Sequence, residues 1–132
     1  MTRIGFQLPD ELGIGVDIES VSRFHRAKTK DDKFLRTFMT SREIEYCFSK
    51  ESPFPHIAAR FAGKEAIIKA LSGLSIRNIS FKDIEIMNDT FGMPSASISS
   101  KRKLDITVML SLSHSVETAI AFALVVKEGR DG

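Results

Sequence analysis

Gly13-Ile-Gly-Val-Asp-Ile-Glu19 alternates between aliphatic residues and glycine or acidic residues at every step. The three aliphatic residues share one face of such a segment, and the two glycines share the other with Asp17 and Glu19. A period of two residues predicts a β-strand. Glycine weakens a strand interior and often marks the close approach of a ligand or of another backbone. We therefore predict a strand here, with a close neighbour on its glycine face.

Two short helices are predicted after this strand. Ser20 or Ser22 can cap the first, which runs through about Lys28. Thr40-Ser-Arg-Glu43 has the spacing of a capping box and opens the second, which runs through about Phe48. Residues 28–33 are expected to form a charged loop, and two prolines after Phe48 break the chain.

The stretch from His56 to Leu71 predicts the longest helix, because it is rich in alanine and contains no proline. Gly73 suits its C-terminal cap. Beyond it, apolar and polar residues alternate again, which predicts strands. These later strands are expected around residues 84–86, 94–98, 104–112 and 120–126, with a turn at 88–92.

Short connections join these later strands, so we expect antiparallel pairing, because parallel crossovers need a dozen or more residues. The fold class is therefore α+β, with a strand, then helices, then antiparallel strands packed on the long helix. Ala119, Ala121 and Ala123 line one face of the last strand, where a helix is expected to lie close. The 132 residues fit one domain, 1–132.

Composition narrows the class of protein. The net charge of +2 and a sequence pI near 8.8 permit an acidic partner without requiring one. Cys47 is the single cysteine, which rules out a disulfide within the chain and favours a reducing compartment; on a helix, we expect it in the core. The sequence shows no transmembrane run and no signal-peptide pattern at its start, so we expect a cytoplasmic protein without a membrane partner.

Glu65 has an unusual place on the long helix. At about 100° per residue it falls in the middle of the most apolar stripe, while Arg60 and Lys64 point to the flank. One interpretation is an ion pair with Lys69, one turn further on, which stabilises a helix by roughly 0.2–0.5 kcal/mol. The other is a functional carboxylate, because a carboxylate aimed into a core is costly unless it is paired or bound to metal.

Asp17 is the second candidate carboxylate. One interpretation places it on the solvent side of a half-buried strand. The other gives it a ligand, because Gly15 leaves room beside it and the chain turns into a helix directly afterwards. A carboxylate from a strand end and one from a helix suit Mg²⁺, which usually takes one or two protein carboxylates and completes its octahedron with water and substrate phosphate.

The other candidate residues each allow two interpretations. His114, in a serine-rich loop between two strands, is either solvated or functional. Arg23 and Arg26 form a basic edge with Lys28, which is either a solvated face or a surface for an acidic protein or a phosphate. The Lys101-Arg-Lys103 turn is equally ambiguous.

Several segments together resemble the holo-acyl-carrier-protein synthase family of 4′-phosphopantetheinyl transferases. Residues 13–24 resemble the family's opening G-I-G-x-D and its following helix, 60–71 resemble R-F-A-x-K-E-A-x-x-K-A, and 111–115 resemble S-x-[ST]-H-[ST]. Residues 38–43 and 81–94 resemble its L-T-x-x-E and its strand with a G-K-P turn. The matches follow one another in order over nearly the whole chain, which makes the set specific although each motif alone is weak.

This resemblance implies a Mg²⁺-dependent enzyme that moves the phosphopantetheine arm of coenzyme A to a serine of an acidic apo acyl carrier protein and releases adenosine 3′,5′-bisphosphate. It implies that Asp17 and Glu65 bind Mg²⁺ and that Lys69 contacts the phosphate being transferred, with Glu65 or a bound water as the base. The residues it places near the nucleotide are Lys64, Gly73, Pro94 and His114. Arg23, with Arg26 on the same edge, would meet the carrier protein, and the family is commonly a homotrimer with active sites between subunits.

The chain departs from the family pattern at three points. Gly63 stands where alanine is usual, at a cost of roughly 1 kcal/mol inside a helix. Met93 replaces the lysine of G-K-P. About ten residues precede the G-I-G-x-D start beyond those of short members.

A rival interpretation is a small basic binding module for nucleic acid or an acidic protein, which would bind nucleic acid with a steep salt dependence. Against it, the chain has no Trp, one Tyr and no interleaving of aromatic and basic residues. It also leaves Glu65 unexplained, so we expect no nucleic-acid partner. Another Mg²⁺-dependent phosphotransferase is a second alternative, although the sequence has no Gly-rich Walker or kinase loop.

Overall fold

The computed structural model describes residues 11–128, so the N-terminal extension lies outside the described residues. Strands β1 (Leu12–Ser20), β5 (Thr118–Lys127) and β4 (Ile106–His114) form one antiparallel sheet in that order, and β2 (Ile84–Asn88) pairs with β3 (Pro94–Ile98) in an antiparallel hairpin. This confirms the α+β class and the antiparallel pairing. In chain order the elements are β1 (Leu12–Ser20), a 3₁₀ turn (Val21–Phe24), α1 (Lys33–Arg36), α2 (Ser41–Phe48), α3 (Phe54–Gly73), a second 3₁₀ turn (Phe81–Asp83), β2 (Ile84–Asn88), β3 (Pro94–Ile98), β4 (Ile106–His114) and β5 (Thr118–Lys127).

Helix α3 lies against the glycine face of β1 at backbone contact distance. A Cβ added to Gly13 would stand 2.0 Å from the Ala70 carbonyl oxygen, and one added to Gly15 would stand 2.0 Å from that of Ala66. No side chain fits in such a gap, so only glycine permits this packing. The middle strand continues the surface with its three buried alanines. The neighbour predicted for the glycine and alanine faces is therefore the long helix.

Gly15→Ala is expected to lower the free energy of unfolding by at least about 2 kcal/mol, because the added methyl group forces α3 away from the sheet. Gly73→Ala is the matched control, since a Cβ there would meet Gly13 Cα at 3.9 Å, an ordinary contact. Urea unfolding followed by circular dichroism measures both variants. Equal midpoints for the two would contradict the backbone-contact argument.

The aliphatic face of β1 is exposed, which reverses the usual arrangement of a strand with one apolar face. Ile14 is 62 % exposed and Ile18 is 65 % exposed. Apolar residues of β5 and β4 extend the same surface, because they pair with β1 residues of that face or follow them across the sheet. We call this surface the outer sheet face; its exposed apolar residues are Leu12, Ile14, Val16, Ile18, Met109, Ile120 and Phe122.

The helical region between β1 and α3 agrees with the prediction from the sequence only in part. Thr40 and Glu43 form the full capping box, so α2 begins and ends where predicted. The predicted first helix is only one 3₁₀ turn that ends at Phe24. An additional turn, α1, begins at the end of the expected charged loop, where the Asp32 carboxylate accepts a hydrogen bond from the Phe34 N–H and caps it.

The hydrophobic core lies on both sides of α3. Phe24, Phe38 and Phe61 pack ring against ring beside its first half, with centroids 5.2–5.9 Å apart. Around its second half the core is aliphatic and lies between the helix, the sheet and the hairpin. The helix includes Gly73, which was expected to follow it as a cap. None of the helices within residues 11–128 combines the length and hydropathy that crossing a bilayer requires.

Candidate functional site

Asp17 lies near the end of β1, opposite Ala121, on the face that α3 covers. Lys69 Nζ stands 3.6 Å from Asp17 Oδ1 and donates a hydrogen bond to the Val16 carbonyl oxygen at 3.0 Å. Asp17 Oδ2 is buried and has no hydrogen-bond partner among the described residues. A buried carboxylate oxygen without a partner is costly, so this position calls for a further cation or donor.

The packing of α3 brings Glu65 to the same place. Because successive glycines of β1 face successive turns of α3, the helix runs antiparallel to β1, and Asp17 comes within about one helical turn of Glu65. Glu65 is half-buried, and within residues 11–128 it forms no ion pair with Lys69. Lys69 pairs with Asp17 instead, so the helix-stabilising interpretation of Glu65 and Lys69 is wrong.

The donor set at this point fits Mg²⁺. In the part of the chain that the structure describes, no three His, Cys, Asp or Glu side chains converge on one point. Two carboxylates from different elements are the number that Mg²⁺ usually takes, with water and substrate phosphate filling its other positions. The unpartnered Asp17 Oδ2 is the atom that such an ion would satisfy.

Glu19 shares the α3 face of β1 with Asp17. Burial, followed by the neighbouring Asp17 carboxylate, raises the pKa of Glu19 to about 7, while the Arg23 guanidinium lowers it. Arg23 Nη1 donates to Glu19 Oε1 at 2.8 Å, and the guanidinium lies over the Phe61 ring at 4.5 Å. Arg23 is therefore held against the protein on the side that faces the carboxylates.

Lys64 lies inside the protein. Its ammonium group donates to Glu43 Oε1 at 2.7 Å, to the Phe38 carbonyl at 2.6 Å and to the Phe81 carbonyl at 3.1 Å. Glu43 also accepts from the Ile86 N–H at 2.7 Å. Burial lowers the pKa of Lys64, and the Glu43 carboxylate opposes that shift. With its side chain 0 % exposed and all three ammonium protons used, Lys64 is not available to a nucleotide, which corrects the expectation from the resemblance.

Arg60 is the candidate that sequence reasoning missed, because it was expected to point to an open flank. It is 1 % exposed, its Nη2 donates to Asn88 Oδ1 at 2.6 Å, and its guanidinium lies over the Tyr46 ring at 4.3 Å. Within residues 11–128 it forms no ion pair with a carboxylate, and its Nε has no partner. A buried cation without a counter-charge is costly, so Arg60 favours an anion beside it. Its spacing of four from Lys64 was the available signal, since both lie on one buried face.

Two histidines and the hairpin turn lie beside Arg60. The rings of His56 and His114 have centroids 4.8 Å apart, and Pro94 pairs with Asn88 across the hairpin. We call this group the arginine cluster; its members are Tyr46, His56, Arg60, Asn88 and His114.

Helix α3 separates the arginine cluster from the carboxylates. Asp17 belongs to β1 and His114 to β4, which are the two edge strands and lie about 10 Å apart across β5. Gly73 lies at the end of α3, about 12 Å from Glu65 along the helix. One chain thus brings Asp17, Glu65 and Lys69 together on one flank of α3, and places the arginine cluster with Pro94 on the other.

Burial, followed by the nearby His114, Arg60 and Lys50, lowers the pKa of His56 to about 4. Because the unfolded chain binds a proton near pH 6.5 and the folded chain does not, stability is full above pH 6.5 and falls as the pH drops from 6.5 to 4. We expect this loss to be about 1 kcal/mol for a half-exposed ring. Urea midpoints of the wild type and His56→Gln between pH 7 and 4 measure it; parallel curves would contradict the assignment.

The basic turn lines a separate cavity. This cavity has a volume of about 790 Å³ and is lined by Arg77, Lys101 and Arg102 together with serines and Asn78. None of these three cations forms an ion pair in the described chain. The cavity does not include Asp17 or Glu65, so the basic turn is not part of the carboxylate site.

Comparison with known proteins places the chain among enzymes. The family model described as the 4′-phosphopantetheinyl transferase superfamily matches residues 13–123. A holo-[acyl-carrier-protein] synthase of Thermodesulfovibrio yellowstonii is 41 % identical over 114 residues, which cover 86 % of this chain and 96 % of the relative. One of Clostridium tetani is 38 % identical over 120 residues, which cover 86 % and 94 %.

Solved structures agree with the sequence comparison. The holo-[acyl-carrier-protein] synthase of Helicobacter pylori in complex with coenzyme A is 37 % identical, with a TM-score of 0.70 over 87 % of this chain and 99 % of that one. The Bacillus anthracis enzyme, in complex with CoA (3′,5′-ADP), is 33 % identical, with a TM-score of 0.73 over 88 % and 96 %.

Proposed function

Because the chain belongs to the 4′-phosphopantetheinyl transferase superfamily, we propose that it transfers the 4′-phosphopantetheine arm of coenzyme A to a serine of an apo acyl carrier protein. The observation that carries this proposal is the buried, unpartnered Asp17 Oδ2, with Lys69 beside the carboxylate and Glu65 one turn away. These are the residues that the resemblance assigns to the reacting phosphate.

In this reaction the serine oxygen forms a bond to the β-phosphorus of coenzyme A, and the bond from that phosphorus to adenosine 3′,5′-bisphosphate breaks. Mg²⁺ bound by Asp17 and Glu65 would supply positive charge to the pyrophosphate. Lys69, which is 52 % exposed beside Asp17, would place a second positive charge next to the pyrophosphate. The serine proton passes to Glu65 or to a water that it holds, and the bisphosphate leaves as an anion.

The nucleotide is assigned to the arginine cluster. A buried guanidinium without a carboxylate partner, next to two histidine rings, suits a phosphate group of the adenosine bisphosphate. His114 belongs to this cluster, and Pro94 lies beside it through its pairing with Asn88, whereas Gly73 lies on the carboxylate flank of α3. Since α3 separates the two groups within one chain, we assign one coenzyme A molecule to the carboxylates of one copy and the arginine cluster of another.

The outer sheet face is the surface assigned to this assembly, a homotrimer. Contiguous exposed apolar residues over a three-stranded sheet are unusual for a monomer and mark an interaction surface. Phe122→Asp, at the middle strand, is expected to give a monomer of 14.7 kDa by light scattering and to reduce transfer at least about 100-fold. Val116→Asp changes an equally apolar residue in the β4–β5 turn and is expected to stay trimeric. A monomeric wild type would contradict the assembly.

Arg23 and Arg26 are assigned to the acidic carrier protein, which we take to be that of fatty acid biosynthesis. Arg26 lies over the Phe34 ring at 4.5 Å, so both guanidinium groups are braced by aromatic rings at one edge of the molecule. The site of action is proposed to be the cytoplasm. Burial raises the pKa of the Cys47 thiol to about 12, which suits a structural cysteine that stays reduced.

Intact-protein mass spectrometry of an apo acyl carrier protein tests the proposal. The carrier is incubated with the chain, coenzyme A and Mg²⁺, with EDTA as the control. A gain of one phosphopantetheine arm that disappears with EDTA supports it. No gain from a folded sample that does not bind coenzyme A would contradict it and would favour the binding-module interpretation, for which the cationic cavity at the basic turn is the candidate surface.

A further inference from the structure

Glu19 connects two parts of the proposed function that lie on different elements. It stands two residues after Asp17 on the same face of β1, so its carboxylate faces the metal position. It also accepts the 2.8 Å hydrogen bond from Arg23, which belongs to the 3₁₀ turn at the carrier-docking edge. Its side chain is only 12 % exposed, whereas that of Arg23 is 51 % exposed.

Each of the two carboxylates on this face of β1 has one cationic partner. Asp17 and Glu19 place two carboxyl groups side by side, and Asp17 has Lys69 at 3.6 Å as its ion-pair partner within residues 11–128. Glu19 has Arg23 in the corresponding role. Arg23 therefore neutralises part of the negative charge that would attract a cation, and an external partner of Arg23 must compete with Glu19 for its guanidinium group.

Resting on the proposed function, we infer that Glu19 is a positioning residue that couples metal binding at Asp17 to carrier docking at Arg23. An acidic partner that takes Arg23 removes the counter-charge of Glu19, and the carboxylates then attract Mg²⁺ more strongly. Conversely, a cation at Asp17 attracts Glu19 and weakens its hold on Arg23, which then becomes available to the partner. The two ligands must therefore strengthen each other by the same factor.

Arg26 offers the matched comparison. It belongs to the same basic edge and is braced by Phe34, as Arg23 is by Phe61. It has no ion pair with Glu19, whose guanidinium partner is Arg23. A charge lost at Arg26 weakens docking without passing through Glu19.

The test measures binding of the full chain to an apo acyl carrier protein by calorimetry, with Mg²⁺ and with EDTA, and binding of Mn²⁺ by electron paramagnetic resonance, with and without the carrier. In the wild type we expect Mg²⁺ to tighten carrier binding about fivefold, and the carrier to tighten Mn²⁺ binding by the same factor. Arg26→Ala is expected to weaken carrier binding and to keep this factor.

Glu19→Gln is expected to change the two affinities in opposite directions. Without metal, the carrier binds about threefold more tightly than to the wild type, because Arg23 is no longer held by a charge. Without carrier, Mn²⁺ binds about threefold more weakly, and the coupling factor falls below about two. Glu19→Ala, which removes the acceptor as well, is expected to reproduce this pattern. A side chain that only stabilises the fold would weaken both affinities together.

Equal coupling factors in the wild type and in both Glu19 variants, with Mn²⁺ and the carrier still bound, would overturn this inference alone. A wild type that binds no Mn²⁺ would overturn the metal assignment of the proposed function and the inference with it. Melting temperatures of all variants within a few degrees of the wild type confirm that the comparisons concern folded protein.

Discussion

Asp17→Asn is expected to reduce phosphopantetheine transfer at least about 10³-fold while the fold persists. The amide keeps the shape of the side chain and removes the negative charge that lies beside Lys69 at 3.6 Å. The buried Oδ2 position then offers a neutral group to a cation, and the reacting phosphate loses the charge that it needs. Transfer is measured by mass spectrometry of the carrier, and metal binding by electron paramagnetic resonance of Mn²⁺.

The control for this variant is Asp31→Asn. Asp31 is 95 % exposed, stands 3.9 Å from Arg36 and belongs neither to the carboxylate flank nor to the arginine cluster, so both transfer and Mn²⁺ binding should be unchanged. Normal transfer by Asp17→Asn would refute the metal assignment. Loss of transfer together with a melting temperature lowered by more than about 5 °C would instead indicate a damaged fold.

Lys64→Met is expected to destabilise the protein by about 3–5 kcal/mol, because it leaves the Glu43 carboxylate buried without its ion-pair partner. The Phe38 and Phe81 carbonyl oxygens lose a donor as well. Urea unfolding at pH 7 measures the change. A loss below about 1 kcal/mol would mean that the pair does not hold α2, α3 and β2 together.

The double variant Glu43→Gln with Lys64→Met separates charge from packing. Glutamine retains one acceptor oxygen, so it can serve only one of the two backbone N–H groups, of Thr40 and Ile86, that donate to the two oxygens of Glu43 in the wild type. Because no unpaired charge remains buried, the double variant is expected to regain more than half of the lost stability. If the double variant recovers no stability, the loss came from the altered packing at residue 64 and not from the buried charge of Glu43.

Local patterns in the chain determine the elements. Alternation over 13–19 predicts β1, and the spacing of Thr40 and Glu43 predicts the start of α2. These signals are readable because each depends on contacts between residues a few positions apart. The first helix was predicted too long for the same reason. A capping residue marks where a helix can begin, and a single 3₁₀ turn and a longer helix begin alike.

Burial of charged residues was not readable in this way. Arg60 and Lys64 were expected on an open flank of α3, but α2 and the hairpin cover that flank and bury both. The partners that offset the cost of burying these charges lie far away in the chain. Lys64 pairs with the Glu43 carboxylate, 21 residues away, whereas Arg60 has only the neutral amide of Asn88, 28 residues away. A helical wheel gives the direction of each side chain around the helix axis, but it does not show which other elements of the fold pack against that side.

The sequence by itself determined the α+β class, the order of its elements and the family, because periodicity, caps and motifs are properties of neighbouring residues. Only the tertiary structure decided which face of β1 is buried, since the missing Cβ atoms of Gly13 and Gly15 let α3 take the side with Asp17 and leave the aliphatic side exposed. It alone paired Lys69 with Asp17 and placed His114 across the helix, because those positions follow from how a helix packs on a sheet.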